Sequence, residues 1–184
     1  MLVLRPARVS DHPALVRCVQ TWWGDSRTPE QARELSLLLP RLFLQFFSRT
    51  SLILEEASSP EDGNGGGDGA GGEGRVRAFL VGFYAPENDT DAYIHFVGVR
   101  PALRGQGVGR RLYSAFFARA AEAGRTDVRA IVSPGNAASL AFHQAMGFVP
   151  EGAGDRVVGG LPVHADYDGP GEDRVCFRRG IGER

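Results

Sequence analysis

The chain of 184 residues has only two cysteines, Cys18 and Cys176, and no apolar run approaching the roughly 18 residues that a membrane helix requires. Two cysteines allow one disulfide at most and give no metal-ligand spacing. A reduced, cytoplasmic setting without a metal is therefore expected. No basic stretch followed by an apolar one and a small-residue cleavage site opens the sequence, so no targeting leader is expected. Charge of neither sign dominates, with 21 basic against 22 acidic residues and a net charge of -1. A nucleic-acid binder needs a basic excess to neutralise phosphates, and none exists here. Apolar side chains are nearly missing from residues 58–74, SSPEDGNGGGDGAGGEG. Such a stretch cannot offset its ordering entropy, which predicts a flexible, Gly-rich loop between two strands. It carries no basic residue and leads into no helix, so it is not a phosphate loop.

What remains fits a single domain over residues 1–184, large enough to bury about 70% of its unfolded surface. Leu2 to Arg5 reads as an opening strand, and Ser10-Asp11-His12-Pro13 as a helix start. The helix carries Leu15, Val16, Val19, Trp22 and Trp23, and Gly24-Asp25 marks a loop after it. A second helix starts at Thr28 or Pro29 and bears Leu35, Leu38, Leu39, Leu42, Phe43, Phe46 and Phe47, with Pro40 a point of breakage. Leu52 to Glu55 is a short strand, and Val76 to Tyr84 a longer one with apolar residues on both faces. Val128 to Val132 is another strand, Phe148 begins a further one, residues 151–174 are mostly turn signals, and Arg174 to Arg178 closes the order.

The chain is organised around Tyr93 to Tyr113, YIHFVGVRPALRGQGVGRRLY. The β-branched run Ile94 to Val99 is a strand, and Pro101 ends it. Gly105, Gly107 and Gly109 then lead into the helical spacing of Leu112, Phe116 and Ala120. A strand, a glycine loop and a helix start make a phosphate cradle, because the first helical N–H groups lack partners and the macrodipole adds positive potential. A Walker loop would need a Lys after its glycines, and none is there. A dinucleotide fingerprint would need glycine where Arg110 stands. The pattern that fits is Arg-x-x-Gly-x-Gly, met by Arg104, Gly107 and Gly109 behind VGVRP. Here the sequence resembles the GNAT superfamily of N-acetyltransferases, whose loop of this form grips the pyrophosphate of acetyl-CoA. A second segment, VSPGNAASLAFHQAMGF, has Asn136 as N-cap and Gly147 after the helix. Asn136, Ser139, Phe142 and Met146-Gly147-Phe148 are similar to the family's second cofactor segment, which lies along the pantetheine arm.

The order of elements and the resemblance together imply an α/β (α+β) GNAT fold: a mixed, mostly antiparallel sheet of six or seven strands with helices on both faces. The resemblance assigns acetyl-CoA to Val97, Gly98, Val99, Arg104, Gly105, Gln106, Gly107, Val108, Gly109, Arg110, Asn136, Ser139 and Phe142. It assigns the acceptor groove to the early helices, with Trp22 and Trp23, and to the connection before the last strand, where His164, Asp166, Tyr167 and Asp168 stand. Tryptophan at helical spacing also suits a core, and Asp and Gly suit a solvated turn.

Acetyl transfer to an alkyl amine requires a proton acceptor. With a pKa of about 10.4, only about 1 in 2,500 such amines is neutral at pH 7, equivalent to roughly 4.6 kcal/mol. His95 is the candidate base, being two residues before Val97 and able to be neutral at working pH. Arylalkylamine acetyltransferases, a branch of the same superfamily, carry histidine at the matching position. The other reading is a core histidine satisfied by a neighbour. Asp91 and Tyr93 share its side of the strand by alternation and could bind the ammonium or place a water. For the leaving thiolate, most relatives use a tyrosine one residue after the position matching Phe142. Here that residue is His143, which could donate if protonated or simply hydrogen-bond the sulfur, with Tyr113 and Tyr167 as rivals.

These readings imply transfer to a small-molecule or peptide amine by direct attack in a ternary complex. The missing tyrosine leaves a second reading open, a non-catalytic acetyl-CoA-binding sensor or regulatory module. No nucleic-acid or membrane partner is expected, and dimers are common in the family.

Overall fold

The computed structural model describes residues 1–23, 27–57 and 75–182. The Gly-rich loop expected at 58–74 and the loop expected at Gly24-Asp25 lie outside the described residues. Strand β1 (Leu2–Pro6) leads through a 3-10 turn at Val9–Asp11 into helix α1 (His12–Trp22). Asp11 accepts from the Arg8 N–H at 2.7 Å and Pro13 fills the first helical turn, so the entry is preset. Helix α2 (Pro29–Ser36) opens on a capping box. The Thr28 hydroxyl accepts from the Gln31 N–H at 3.2 Å, and the Gln31 side chain accepts from the Thr28 N–H at 3.0 Å. Such a cap is worth about 1 kcal/mol. Pro40 divides the apolar run that follows, and helix α3 (Leu42–Phe47) stands apart from α2.

The remaining elements are β2 (Leu52–Glu56), β3 (Val76–Tyr84), β4 (Asp91–Val99), α4 (Val108–Glu122), β5 (Asp127–Val132), α5 (Ala137–Ala145), β6 (Val149–Pro150), β7 (Arg156–Val158), β8 (Leu161–Val163) and β9 (Val175–Gly180). Strands β1-β2-β3-β4-β5-β9-β6 form a seven-stranded sheet in that order, and β7 with β8 forms a separate pair. The pairs β1–β2, β2–β3, β5–β9 and β6–β9 are antiparallel, whereas β4–β5 is parallel. The mixed, mostly antiparallel sheet agrees with the expectation. The β7–β8 hairpin differs from it, since these residues read as turns. Gly159 and Gly160, at φ of 59° and 82°, form its two-residue turn, and Gly-Gly between Val158 and Leu161 is a hairpin signal in its own right.

The chain divides into two compact units, Met1–Phe83 with Phe96–Phe116 and Tyr84–His95 with Phe117–Arg184. In the first unit, Leu15, Val19, Leu39, Leu44, Ile53, Phe79 and Val81 form one buried cluster. Arg5 bridges Asp11 at 2.8 Å and Glu55 at 2.9 Å, which ties the entry of α1 to β2. In the second unit, Val128 and Ala130 on β5 and Val175 and Phe177 on β9 are buried, with Met146 and Phe148. The alternate positions Arg129, Cys176 and Arg178 are not buried, the period-2 pattern of a sheet with one apolar and one polar face. No helix among the described residues is long and apolar enough to cross a membrane.

Candidate active site

The first unit holds the glycine loop. Gly98 on β4 has a local packing reason: a Cβ there would stand 2.4 Å from Cε1 of Phe79. A 3-10 turn at Pro101–Leu103 follows the strand. Gly105 and Gly107 then adopt φ of 74° and 78°, the left-handed region open to glycine. Nothing lies within 4 Å of a Cβ built on either, so conformation and not crowding demands glycine there. The first helical hydrogen bond of α4 runs from Arg111 N to Gly107 O at 3.0 Å. The N–H groups of Val108, Gly109 and Arg110 precede it and have no acceptor within the helix. Those N–H groups, the helix dipole and the exposed Arg110 make a place where an anion is favoured. Gln106 is tied back to Ala102 O at 2.8 Å.

Arg104 is differently engaged. Its Nε donates to Val99 O at 3.2 Å, its Nη2 donates to Trp22 O at 2.9 Å, and the guanidinium lies 5.6 Å from the Trp23 ring centre. Trp22 is 9% exposed and stacks on Phe79 at 5.8 Å. Trp23 is half-buried and meets Phe96 edge-on at 6.0 Å. Val97, Gly98, Val99, the 104–110 loop and both tryptophans are thus brought together in one unit. Tyr113 also belongs to this unit but is 1% exposed, and burial pushes its phenol well above the ordinary range.

The second unit holds the proton-transfer candidates. The parallel ladder runs Asp91↔Asp127, Ala92↔Val128, Tyr93↔Arg129, and ends before His95. His95 is half-buried and its ring lies 6.4 Å from that of Tyr93. The Tyr93 phenol is raised by burial and by the neighbouring Tyr167, Asp168 and Cys176. Tyr167 is 51% exposed, meets His164 edge-on at 6.1 Å and is hydrogen-bonded to Cys176. The backbone holds this loop firmly: His164 and Arg174 exchange N–H···O bonds of 2.8 and 3.0 Å, and Arg174 pairs with Asp168 at 2.6 Å. Cys176, Arg129 and Glu151 carried no sequence signal, because only the fold sets Arg129 opposite Tyr93, pairs it with Glu151 and brings Cys176 to Tyr167.

Asp91 is saturated. It accepts from Arg129 Nε at 2.5 Å, Asn88 Nδ2 at 3.2 Å and Thr90 Oγ1 at 3.2 Å. Burial alone would raise its pKa, but the Arg129 and Asn88 hydrogen bonds outweigh it and hold the carboxylate below its ordinary range. Arg129 also pairs with Glu151.

Asn136 caps α5, accepting from the Ser139 N–H at 3.2 Å. Ser139 and Phe142 are half-buried on that helix. His143 turns inward and is 6% exposed, stacked on Phe177 at 5.6 Å and edge-on to Phe148 at 5.2 Å. Its Nδ1 donates to Ser139 O at 2.8 Å. Burial lowers its pKa against the opposing pull of that carbonyl, which favours a neutral ring with an Nε2 that can only accept. That is the arrangement of a packed side chain, not of a proton donor at neutral pH.

In the second unit the β4–β5 ladder ends before His95, and in the first a left-handed glycine loop opens a helix, the geometry of an anion-binding helix start. The family model described as "Acetyltransferase (GNAT) family" matches residues 30–148, and the chain belongs to that family. An L-2,4-diaminobutyric acid acetyltransferase of Nocardia farcinica (strain IFM 10152) is 34% identical over 74 residues, which span 40% of this chain and 38% of that protein. The match thus covers well under half of the relative's length. Among solved structures, Ard1 from Thermoplasma volcanium superposes with a TM-score of 0.65 and 20% identity over 99% of both chains. The diaminobutyrate acetyltransferase of Paenibacillus lautus, in complex with its substrate and coenzyme A, gives a TM-score of 0.62 and 18% identity over 98% of this chain and 95% of that one. At these identities the superpositions speak for the fold.

Proposed function

We propose that this protein is an acetyl-CoA-dependent N-acetyltransferase that acts on a small-molecule or peptide amine by direct attack in a ternary complex. The observation that carries the reading is the loop from Arg104 to Arg110, with Gly105 and Gly107 in the left-handed region and the open N–H groups of α4 behind them, in a chain of this family. Acetyl-CoA supplies the thioester that the amine attacks. The N–H groups of Val108, Gly109 and Arg110 hold its diphosphate, with Gly105, Gln106 and Gly107 shaping the loop. The main chain of Val97 and Val99 on β4 pairs with the pantetheine amides, and Asn136, Ser139 and Phe142 line that arm.

His95 takes the proton of the attacking ammonium, directly or through a water that Tyr93 helps to place. The half-exposed Tyr167, whose phenol burial and the Cys176 thiol keep protonated at neutral pH, is the acceptor-side hydroxyl. Trp23 contacts the acceptor, while Trp22 is buried and stacks on Phe79. Asp91 serves by holding Arg129. A thiol with a pKa of about 8.5 departs tolerably as thiolate, so a dedicated acid is the less demanding role. The similarity to a diaminobutyric acid acetyltransferase supports a short diamino acid as the first acceptor to try. Coenzyme A chemistry and two free thiols suit the cytoplasm.

One observation favours a second reading, a non-catalytic acetyl-CoA sensor: the residue standing where most relatives keep a donor tyrosine is the buried, neutral His143. Incubation with acetyl-CoA and a panel of amines, following free thiol, separates the two. Amine-dependent thiol release supports the transferase. Coenzyme A binding without such release supports the sensor.

A further inference from the structure

Arg104 opens the Arg-x-x-Gly-x-Gly pattern, yet its guanidinium is turned toward α1. Helix α1 ends at Trp22, so the Trp22 carbonyl is one of the last four, which no N–H of the helix can reach. Arg104 Nη2 donates to it at 2.9 Å and brings positive charge to the negative end of the helix dipole. Arg104 Nε donates at 3.2 Å to Val99 O, the last residue of β4. The same guanidinium lies 5.6 Å from the Trp23 ring centre, a cation–π distance. Trp23 in turn rests edge-on against Phe96, which stacks on Phe79 at 5.9 Å, which stacks on Trp22. One exposed arginine beside the loop thus closes a ring of contacts through α1, β3 and β4. Two of its five N–H donors make these bonds, leaving capacity for an anion at the loop.

We propose that Arg104 is a positioning residue: it fastens the end of α1 and the indole of Trp23 to the glycine loop, so that coenzyme A held there fixes Trp23 and thereby sets the affinity for the acceptor. This rests on the function proposed above for assigning the loop to coenzyme A and Trp23 to the acceptor. An anion at the loop and the Trp22 carbonyl engage the same rigid, planar group. Ordering the guanidinium for one therefore lowers the entropy lost in binding the other.

The chain's two tryptophans are Trp22 and Trp23, so its tryptophan emission reports on this junction alone. In the wild type, coenzyme A changes that emission. In Arg104→Gln the emission change is lost and the acceptor KM rises about tenfold, both read at coenzyme A concentrations that calorimetry shows to saturate the variant. Arg104→Lys keeps the charge but not the fork and recovers only part of the response, which also covers the case in which the Gln variant does not fold. Without ligand, acrylamide quenches the variant's emission about twice as strongly as the wild type's, because the indole loses its cover. Equal quenching overturns the proposal. So does a coenzyme A Kd about tenfold weaker with an unchanged emission response and acceptor KM, which makes Arg104 a phosphate ligand alone. If the wild type binds no coenzyme A, the transferase reading falls, and the quenching comparison still decides the link.

Discussion

Phe79 and Gly98 are fitted to each other so closely that a single methyl on Gly98 would stand 2.4 Å from the ring. Phe79 is fully buried between Trp22 and Phe96, so it has nowhere to retreat. Gly98→Ala is expected to destabilise the protein by about 1–3 kcal/mol through overpacking. Phe79→Leu in the same chain should recover part of that loss. Urea titrations of the two single variants and the double variant measure the coupling, and strict additivity would contradict the fit.

Gly105 and Gly107 make a different kind of demand, since open space surrounds both. Alanine at either position is expected to cost about 1–2 kcal/mol for its left-handed backbone alone, read as coenzyme A affinity lower by roughly tenfold. Asparagine tolerates that conformation better and should lose less. Calorimetry on the four variants checks the order, and an equal loss for Ala and Asn would point to crowding instead.

His95→Ala is expected to lower kcat by about 10²–10⁴-fold, the usual contribution of a positioned base, with coenzyme A affinity unchanged. Steady-state kinetics beside equilibrium binding separates the roles. Parallel loss of both would make His95 a structural residue.

His143 gives stability a pH dependence of definite sign. Its folded-state pKa lies below the ordinary 6.5 because burial disfavours the charged ring, so the unfolded chain takes up a proton that the folded one resists. The contribution is full above that ordinary value and declines as pH falls through it. The urea midpoint should drop between about pH 7 and about pH 5, and His143→Phe should flatten that slope.

Asp91→Asn is expected to lower stability while leaving the acceptor KM unchanged, because three side-chain donors already occupy the carboxylate. Its folded-state pKa is depressed, so this stabilisation is present above the ordinary 3.8 and is lost as pH falls below it. Melting temperatures down to about pH 3 test the sign. A selective rise in acceptor KM would instead make Asp91 an ammonium ligand.

The parts legible in the sequence were those fixed by short-range chemistry. Thr28 and Asn136 announced their helices through cap preferences, and Pro40 its break. Gly105 and Gly107 announced a loop before the helix, and the structure adds that both are left-handed. Val128 to Val132 and Arg174 to Arg178 read as strands, but their apolar and polar faces emerged only from the structure. Long-range register was not legible. Nothing near Cys176 in sequence says that its thiol meets Tyr167, or that Arg129 serves Asp91 and Glu151 together. His143 was placed by motif alignment on the sulfur side, but helical phase sends its ring to Phe148 and Phe177 instead. The β7–β8 hairpin was legible in Gly159-Gly160 and was masked by the surrounding Asp and Gly residues.

Arginine supplies the double bridges in this fold: Arg5 to Asp11 and Glu55, Arg129 to Asp91 and Glu151, and Arg174 to Asp168 and Glu172. The 184 residues contain no lysine at all, every one of the 21 basic residues being arginine. A guanidinium stays protonated at any pH where an alkyl amine would begin to react. The chain therefore offers an activated acetyl thioester no ε-amino group of its own to compete with the acceptor amine.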